Sequence, residues 1–437
     1  MEGANGAREH WGSRTGFILA AVGSAVGLGN MWRFSYLTAE NGGAAFVILY
    51  LLLVAAVGLP VMLAELVIGR GSRRSPIGAL AYYGGDRWRP LGALFLVSGF
   101  LILSYYSVIA GWTLRYALMA VGGFAADSGA FFEQVATGPS SVAWHLIFML
   151  TTVSIVVGGV NRGIERVSLV LMPLLFLIVC GIALYAATLD GASRGYDFYL
   201  SIDMKKMMSF EVLNHAAGQA FFSLSLGMGA MLTYASYLRE GENLPNESVI
   251  IAVADFGVAF VAGLAIFPLL FALGLDEQVG ESTVGALFIT LPSAFHEMGA
   301  AGRVVGLLFF VALAVGALTS AISLLEVVVA TAIDQLGWSR PLAAIVLGQA
   351  CALLGLPAAL DLDVLGLMDQ VAGNLFLVFG GLMLSIFVGW VMPDPVAEAR
   401  LGAERVRWFF AWRGLLRTVV PVLLVVILWH SIRSLSG

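Results

Sequence analysis

Hydrophobic runs separated by short polar turns occupy most of the chain, and their lengths decide what they predict. An apolar stretch of about 18 residues or more is long enough to cross the hydrocarbon layer of a membrane as a helix. The pattern predicts eleven such spans, at 15–40, 44–69, 91–121, 142–160, 167–188, 210–238, 246–274, 303–335, 340–357, 364–391 and 413–433. Residues 279–299 (VGESTVGALFITLPSAFHEMG) are too interrupted to cross and read as a partly helical loop or a re-entrant piece. No Pro/Ser-rich or low-complexity linker parts the spans, so the expectation is one all-α membrane domain over 1–437.

Two of these runs carry residues that weaken a membrane helix. Span 1 contains GSAVGLGNMWRF at 23–34, and span 6 contains the G-x-G stretch Gly227-Met228-Gly229 midway along its length. Spans 1–5 and 6–10 are of similar length, and an odd number of crossings per half inverts the second half. Glycine-interrupted segments at corresponding positions of two inverted halves point to the central binding site of a transporter. Close helix packing is the plainer reading of a single G-x-G, but two symmetric ones ringed with Ser, Asn or Gln favour a site.

A broken helix exposes backbone N–H and C=O groups, tolerated in a membrane only beside a cavity or ligand. The N-termini of half-helices favour a carboxylate, and freed carbonyls hold a cation. Hard oxygen ligands suited to sodium gather on spans 1, 6, 7 and 8: Ser24, Asn30, Ser223, Ser225, Asp255, Thr319 and Ser320. Any one of the hydroxyls could simply bond back to its own helix. Asp255 is different, because a carboxylate in mid-membrane marks an ion pathway by default.

Composition agrees with the pattern. The 437 residues are 59% hydrophobic and 12% charged, with a mean hydropathy of +0.92, whereas a soluble domain carries about 25% charge. So little charge cannot clothe a globular surface, and most of the chain is expected to face lipid. The net charge of −5 gives no sign of a nucleic-acid partner. Cys180 and Cys351 sit in apolar runs and read as small core hydrophobes. The segment MEGANGAREHWGSR lacks the layout of a cleaved signal peptide and is expected to be retained.

Basic residues in short loops mark the cytoplasmic side. The loop after span 2 holds Arg70, Arg73, Arg74, Arg87 and Arg89, and that after span 4 holds Arg162 and Arg166. The loop after span 10 holds Arg400, Arg405, Arg407 and Arg413, whereas 122–141 has no Lys or Arg. The expectation is a cytoplasmic N-terminus and an external C-terminus, against which Lys205 and Lys206 speak.

Several motifs together carry a resemblance. REHWGSRTGFILAAVGSAVGLGNMWRF (8–34), NGGAAF (41–46), RGIER (162–166), GQAFFSLSLGMGAMLTYASY (218–237) and GALTSAIS (316–323) resemble the neurotransmitter:sodium symporter family, most closely its bacterial amino-acid transporters. The likeness runs in order from residue 8 to about 391. It implies the leucine-transporter fold, with inverted repeats over 15–188 and 210–391, a peripheral helix at 413–433, alternating access, and a bacterial inner-membrane location.

Carried over residue by residue, the resemblance implies two sodium sites. The first would use the Ala25 carbonyl, Asn30, Ser223 (usually threonine), Asp255 and the substrate's own carboxylate. The second would use the carbonyls of Gly23, Val26 and Gly316 with the hydroxyls of Thr319 and Ser320. The substrate carboxylate would meet the N–H groups of Leu28 and Gly29 and the hydroxyl of Tyr106. Its amino group would meet the carbonyls of Ala25 and Phe222 and the hydroxyl of Ser225. Ile102, Phe222, Ser225, Met228, Ser320 and Leu324 would set side-chain specificity. The outer gate would pair Arg33 with Asp369, and the inner gate Arg8 with Asp334 beside Trp11 and Tyr237. Glu65 would support broken span 6 from behind, while Glu326 has no assigned role.

Two departures refine the expectation. Animal members bind chloride through residues matching Tyr50, Gln219, Ser223 and positions 255 and 259, the last two usually Asn and Ser. This chain has Asp255 and Ala259. A fixed carboxylate supplies the negative charge beside sodium, so chloride-independent transport is expected, with proton antiport through the same carboxylate a further option. Monoamine carriers hold aspartate where this chain has Gly27, which favours an amino acid over an amine. The apolar lining with adaptable Met228 suggests hydrophobic or aromatic amino acids; glycine or a betaine-like zwitterion is the alternative.

Other classes fit less well. His10, His145, His215, His296 and His430 show no metal-ligand spacing, and no H-E-x-x-H occurs, so no enzyme is expected. A non-transporting amino-acid sensor on the same scaffold is the rival. The expected partners are a small-molecule amino acid and membrane lipid, with the chain a monomer or weak homodimer.

Overall fold

The computed structural model describes residues 9–207, 209–275, 286–403 and 408–436. Helices make up the fold, and the described residues contain no strand beyond a single bridge between Gly43 and Ile202. Among the described residues nine helices are long and apolar enough to cross a membrane, and Arg14–Ala25 with Gly29–Glu40 forms a bent pair that brings the number to ten. The predicted eleven is not reached on length and composition. The missing one is span 6, whose pieces Phe210–Ser223 and Ala230–Ala235 are each too short to cross alone.

The break in span 1 follows from its sequence. Ser13 caps the first piece by accepting from the Gly16 N–H at 2.9 Å. Helical bonding stops at Val26, and the chain resumes at Gly29 after a bend of 53°. The Asn30 side-chain oxygen accepts from the Gly27 N–H at 3.0 Å, so a side chain satisfies a donor that the break has freed.

In span 6 residues 224–229 leave the helix. Gly227 and Gly229 have φ of 79° and 74°, which glycine accepts without penalty. Ser225, at φ 53°, also lies in this left-handed region, where a side chain is uncommon.

Burial separates core helices from lipid-facing ones. In span 8 (Gly299–Leu336) 72% of the apolar window is buried, and in span 3 (Asp86–Gly122) 67%. These two pack along each other, and span 8 also packs against span 1. Spans 4 and 5 (Gly138–Val157 and Val160–Ala186) reach 33%, and the last helix, Phe409–Arg433, 28%, so they form the rim. Of the segment read as a loop, Ala286–Thr290 and Leu291–Glu297 are short helical pieces leading into span 8, and 276–285 lie outside the described residues.

Candidate functional site

The two breaks meet at the centre of the bundle, and oxygen atoms from six spans converge there. Asp255, on span 7 (Leu244–Ala272), is fully buried. Its carboxylate is satisfied by three neighbours, as a buried charge requires. The Asn30 amide donates to Oδ1 at 2.6 Å, and Ser223 Oγ donates to Oδ1 and Oδ2 at 3.0 and 2.8 Å. Tyr50 Oη donates to Oδ2 at 3.1 Å. Asn30, Ser223 and Asp255, three of the four residues assigned to the first sodium site, thus form one hydrogen-bonded cluster; Ala25 lines the adjoining cavity.

Thr319 and Ser320 complete a second cluster between spans 1 and 8. Ser320 Oγ lies 3.3 Å from the Gly23 carbonyl, 3.5 Å from that of Val26 and 3.1 Å from that of Gly316. Thr319 Oγ1 lies 3.0 Å from the Gly316 carbonyl. All five oxygens assigned to the second sodium site are therefore neighbours. Two hydroxyls and three carbonyls make a hard, uncharged oxygen set. Among the described residues no group of three His, Cys, Asp or Glu could hold a transition metal.

Between the clusters lies a small cavity of about 30 Å³. Every residue assigned to the substrate except Leu28 lines it: Ala25, Gly29, Ile102, Tyr106, Phe222, Ser225, Met228, Ser320 and Leu324. Leu28 contributes its backbone, donating from N–H to Tyr106 Oη at 3.3 Å. Ser225 Oγ donates to the Ser24 carbonyl at 2.8 Å, joining the two broken segments across the cavity. A Cβ on Gly27 would lie 2.6 Å from Ser320 Oγ and 2.8 Å from Tyr106 Oη, so a side chain there would point into the site.

Behind span 6, Glu65 is fully buried and accepts from the Gly227 N–H at 2.9 Å and the Leu232 N–H at 3.2 Å. It replaces the helical acceptors lost at the break, the supporting position expected of it.

At the outer end, the Arg33 guanidinium lies over the Phe222 ring, 4.8 Å from its centroid. Asp369 accepts from Tyr105 Oη at 2.9 Å.

At the inner end, Arg8 lies outside the described residues, and Asp334 accepts from the Ser75 N–H at 2.7 Å. Trp11 donates from Nε1 to the Tyr234 carbonyl at 2.9 Å and from N–H to the Tyr237 carbonyl at 3.3 Å. Glu326, unassigned from the sequence, is held by Arg340 at 2.7 and 3.0 Å and by Tyr237 Oη at 2.5 Å. Arg340 also reaches Glu9 at 2.8 Å, and Glu9 accepts from the Val160 N–H at 2.6 Å. Glu165, from the RGIER motif, accepts from the Gly12 N–H and Ser13 Oγ at 2.7 and 2.8 Å. Sequence reasoning missed Glu9, Glu165 and Arg340. A buried carboxylate at 326 called for a cation, but nothing local named Arg340 as that cation.

Paired broken helices around a cavity flanked by two oxygen clusters define a membrane carrier. Comparison with known proteins agrees. The profile of the Sodium:neurotransmitter symporter family matches residues 8–124 and 132–436, and the chain belongs to that family. It is 34% identical over 448 residues to the sodium-dependent transporter YhdH of Bacillus subtilis, covering 98% of each chain. It is 26% identical to the sodium- and chloride-dependent GABA transporter ine of Drosophila melanogaster, covering 88% of this chain and 46% of that one. Among solved structures, that of MhsT in complex with L-phenylalanine superposes with a TM-score of 0.88 at 41% identity, covering 97% of this chain and all of that one. The protein is a sodium-dependent transporter with the leucine-transporter fold, not an enzyme.

Proposed function

We propose that the protein imports hydrophobic or aromatic amino acids across a bacterial inner membrane, coupled to sodium at two sites and independent of chloride. The observation that carries this reading is the placement of the Leu28 N–H and Tyr106 Oη beside the Asp255 cluster: a zwitterion's carboxylate reaches both the donors and a sodium ion. At the first site sodium would take up the oxygens of Asp255, Ser223, Asn30 and the Ala25 carbonyl. The Asn30 amide turns its N–H₂ end to Asp255, so its oxygen would reach the ion by rotation of the amide. The second ion would sit among Gly23, Val26, Gly316, Thr319 and Ser320.

Amino acid over amine is supported by Gly27, where no carboxylate stands to pair with an ammonium group. The hydrophobic class is supported by Ile102, Met228 and Leu324, and by the phenylalanine bound to MhsT. A large side chain exceeds the 30 Å³ cavity, and Met228, with three rotatable bonds, is the lining residue best able to make room. Chloride independence is supported by Tyr50 and Ser223, whose hydroxyls both donate to Asp255 and so have no anion left to serve. The two repeats, 15–188 and 210–391, would rock about this centre, with Arg33 and Asp369 closing outside and Arg8 and Asp334 inside. The basic loops support a cytoplasmic N-terminus.

Uptake into proteoliposomes, with binding measured alongside, tests the reading. Phenylalanine uptake driven by a sodium gradient, unchanged when gluconate replaces chloride, is the expected result. Sodium-dependent binding without uptake would make the protein a sensor, and loss of uptake without chloride would refute the anion assignment.

A further inference from the structure

A second cavity, with a lining distinct from that of the central site, lies between the start of span 3 and the end of span 10 (Leu362–Val391) and has a volume of about 620 Å³. That falls within the range of roughly 300–1,000 Å³ typical of ligand pockets. Its walls are apolar, with Leu91 and Leu94 from span 3 facing Phe379 and Met383 from span 10. Its mouth is not, because Arg87 and Trp88 stand there. Arg87 is exposed and forms no ion pair with any described residue, while its neighbour Arg89 is held by Asp86 at 2.8 Å. The Trp88 indole N–H is buried without a hydrogen-bond partner among the described residues, and the ring packs edge-on against Phe387 at 4.9 Å.

The position is that of a membrane boundary. The polar turn 84–89 gives way to the apolar run of span 3, and span 10 ends at Val391 in the same cavity. A tryptophan and an arginine at such a boundary, above an apolar slot, match the two ends of a phospholipid. The arginine offers a fork of donors to a phosphate, and the arginine-rich loop around it favours an anionic headgroup. A free phosphate would leave the long apolar wall unused.

We propose that this cavity is a binding site for an anionic phospholipid, with one acyl chain between Leu94 and Met383 and the phosphate against Arg87. It is separate from the substrate site and does not depend on the identity of the transported amino acid.

Native mass spectrometry of the purified protein tests this, with palmitoyl-oleoyl-phosphatidylglycerol offered against the phosphatidylcholine of the same chains. The wild type is expected to retain phosphatidylglycerol preferentially. Arg87→Gln should lower that preference about fivefold, the effect of removing one basic contact to an anionic lipid. Met383→Trp and Leu94→Trp should each reduce retention of both lipids by filling the slot, while sodium-dependent thermal stabilisation reports an intact fold. Arg115→Gln, at the far end of the same helix, should change nothing. Retention unchanged in Arg87→Gln and in either tryptophan variant, or an equal loss in Arg115→Gln, would overturn the site.

Discussion

Arg340 holds both carboxylate oxygens of Glu326, at 2.7 and 3.0 Å, although 14 residues and a helix-to-helix turn separate them. Glu326 is fully buried and Arg340 is 11% exposed. With Tyr237 and Glu9 on the same two groups, this pair ties the N-terminal segment to spans 6, 8 and 9. Removing one partner of a buried pair leaves an uncompensated charge and costs about 3–5 kcal/mol. Arg340→Gln is therefore expected to lower the thermal unfolding midpoint in detergent strongly. Arg340→Gln combined with Glu326→Gln should recover part of the loss. A single variant as stable as the wild type would show that the pair is not structural.

The support of span 6 gives a second prediction. Glu65 accepts two backbone N–H groups at the break, and hydrogen bonds to a charged group contribute about 1.5–3 kcal/mol each. Glu65→Ala should destabilise the protein and weaken sodium-dependent substrate binding together, whereas Glu65→Gln, which keeps an acceptor, should lie between. Scintillation-proximity binding alongside thermal unfolding measures both. Normal binding in Glu65→Ala would separate this residue from the site.

Asp255 is the buried carboxylate of the cluster proposed for the first sodium ion. In Asp255→Asn the Ser223 and Tyr50 hydroxyls lose their anionic acceptor and become available to a chloride ion. Uptake by this variant is expected to fall in chloride-free buffer and to recover with added chloride, while the wild type is indifferent. Chloride-insensitive uptake in both would argue against charge balance as the reason.

For the second cluster, Ser320→Ala removes the hydroxyl that neighbours three carbonyls. A loss of about 1.4 kcal/mol corresponds to a tenfold change in affinity. The half-saturating sodium concentration should rise by about that factor, read from sodium titrations of binding at fixed substrate.

Gly27→Ala places a Cβ 2.6 Å from Ser320 Oγ and 2.8 Å from Tyr106 Oη. Both are side-chain ends, so the fold should persist while the hydroxyls shift. Isothermal titration should then show weaker amino-acid binding with little change in unfolding temperature. Unchanged affinity would show that the hydroxyls move aside freely.

The sequence by itself determined the membrane class, the two interrupted spans and the oxygen-bearing residues. Span length, glycine interruption and residue chemistry are local properties, readable wherever they fall along the chain. The family motifs went further and named partners for Asn30, Asp255, Ser320 and Glu65. What only the tertiary structure decided are the links between distant elements: Arg340 on Glu326, Glu165 on Ser13, and the cavity shared by Leu94 and Met383. None of these has a periodicity or spacing that marks it, because each arises from the way helices fold back on one another. The count of crossings shows the converse. Hydropathy counted span 6 as one crossing with a glycine interruption, but backbone geometry divides it at 224–229, where three residues in the left-handed conformation leave two pieces each too short to cross alone.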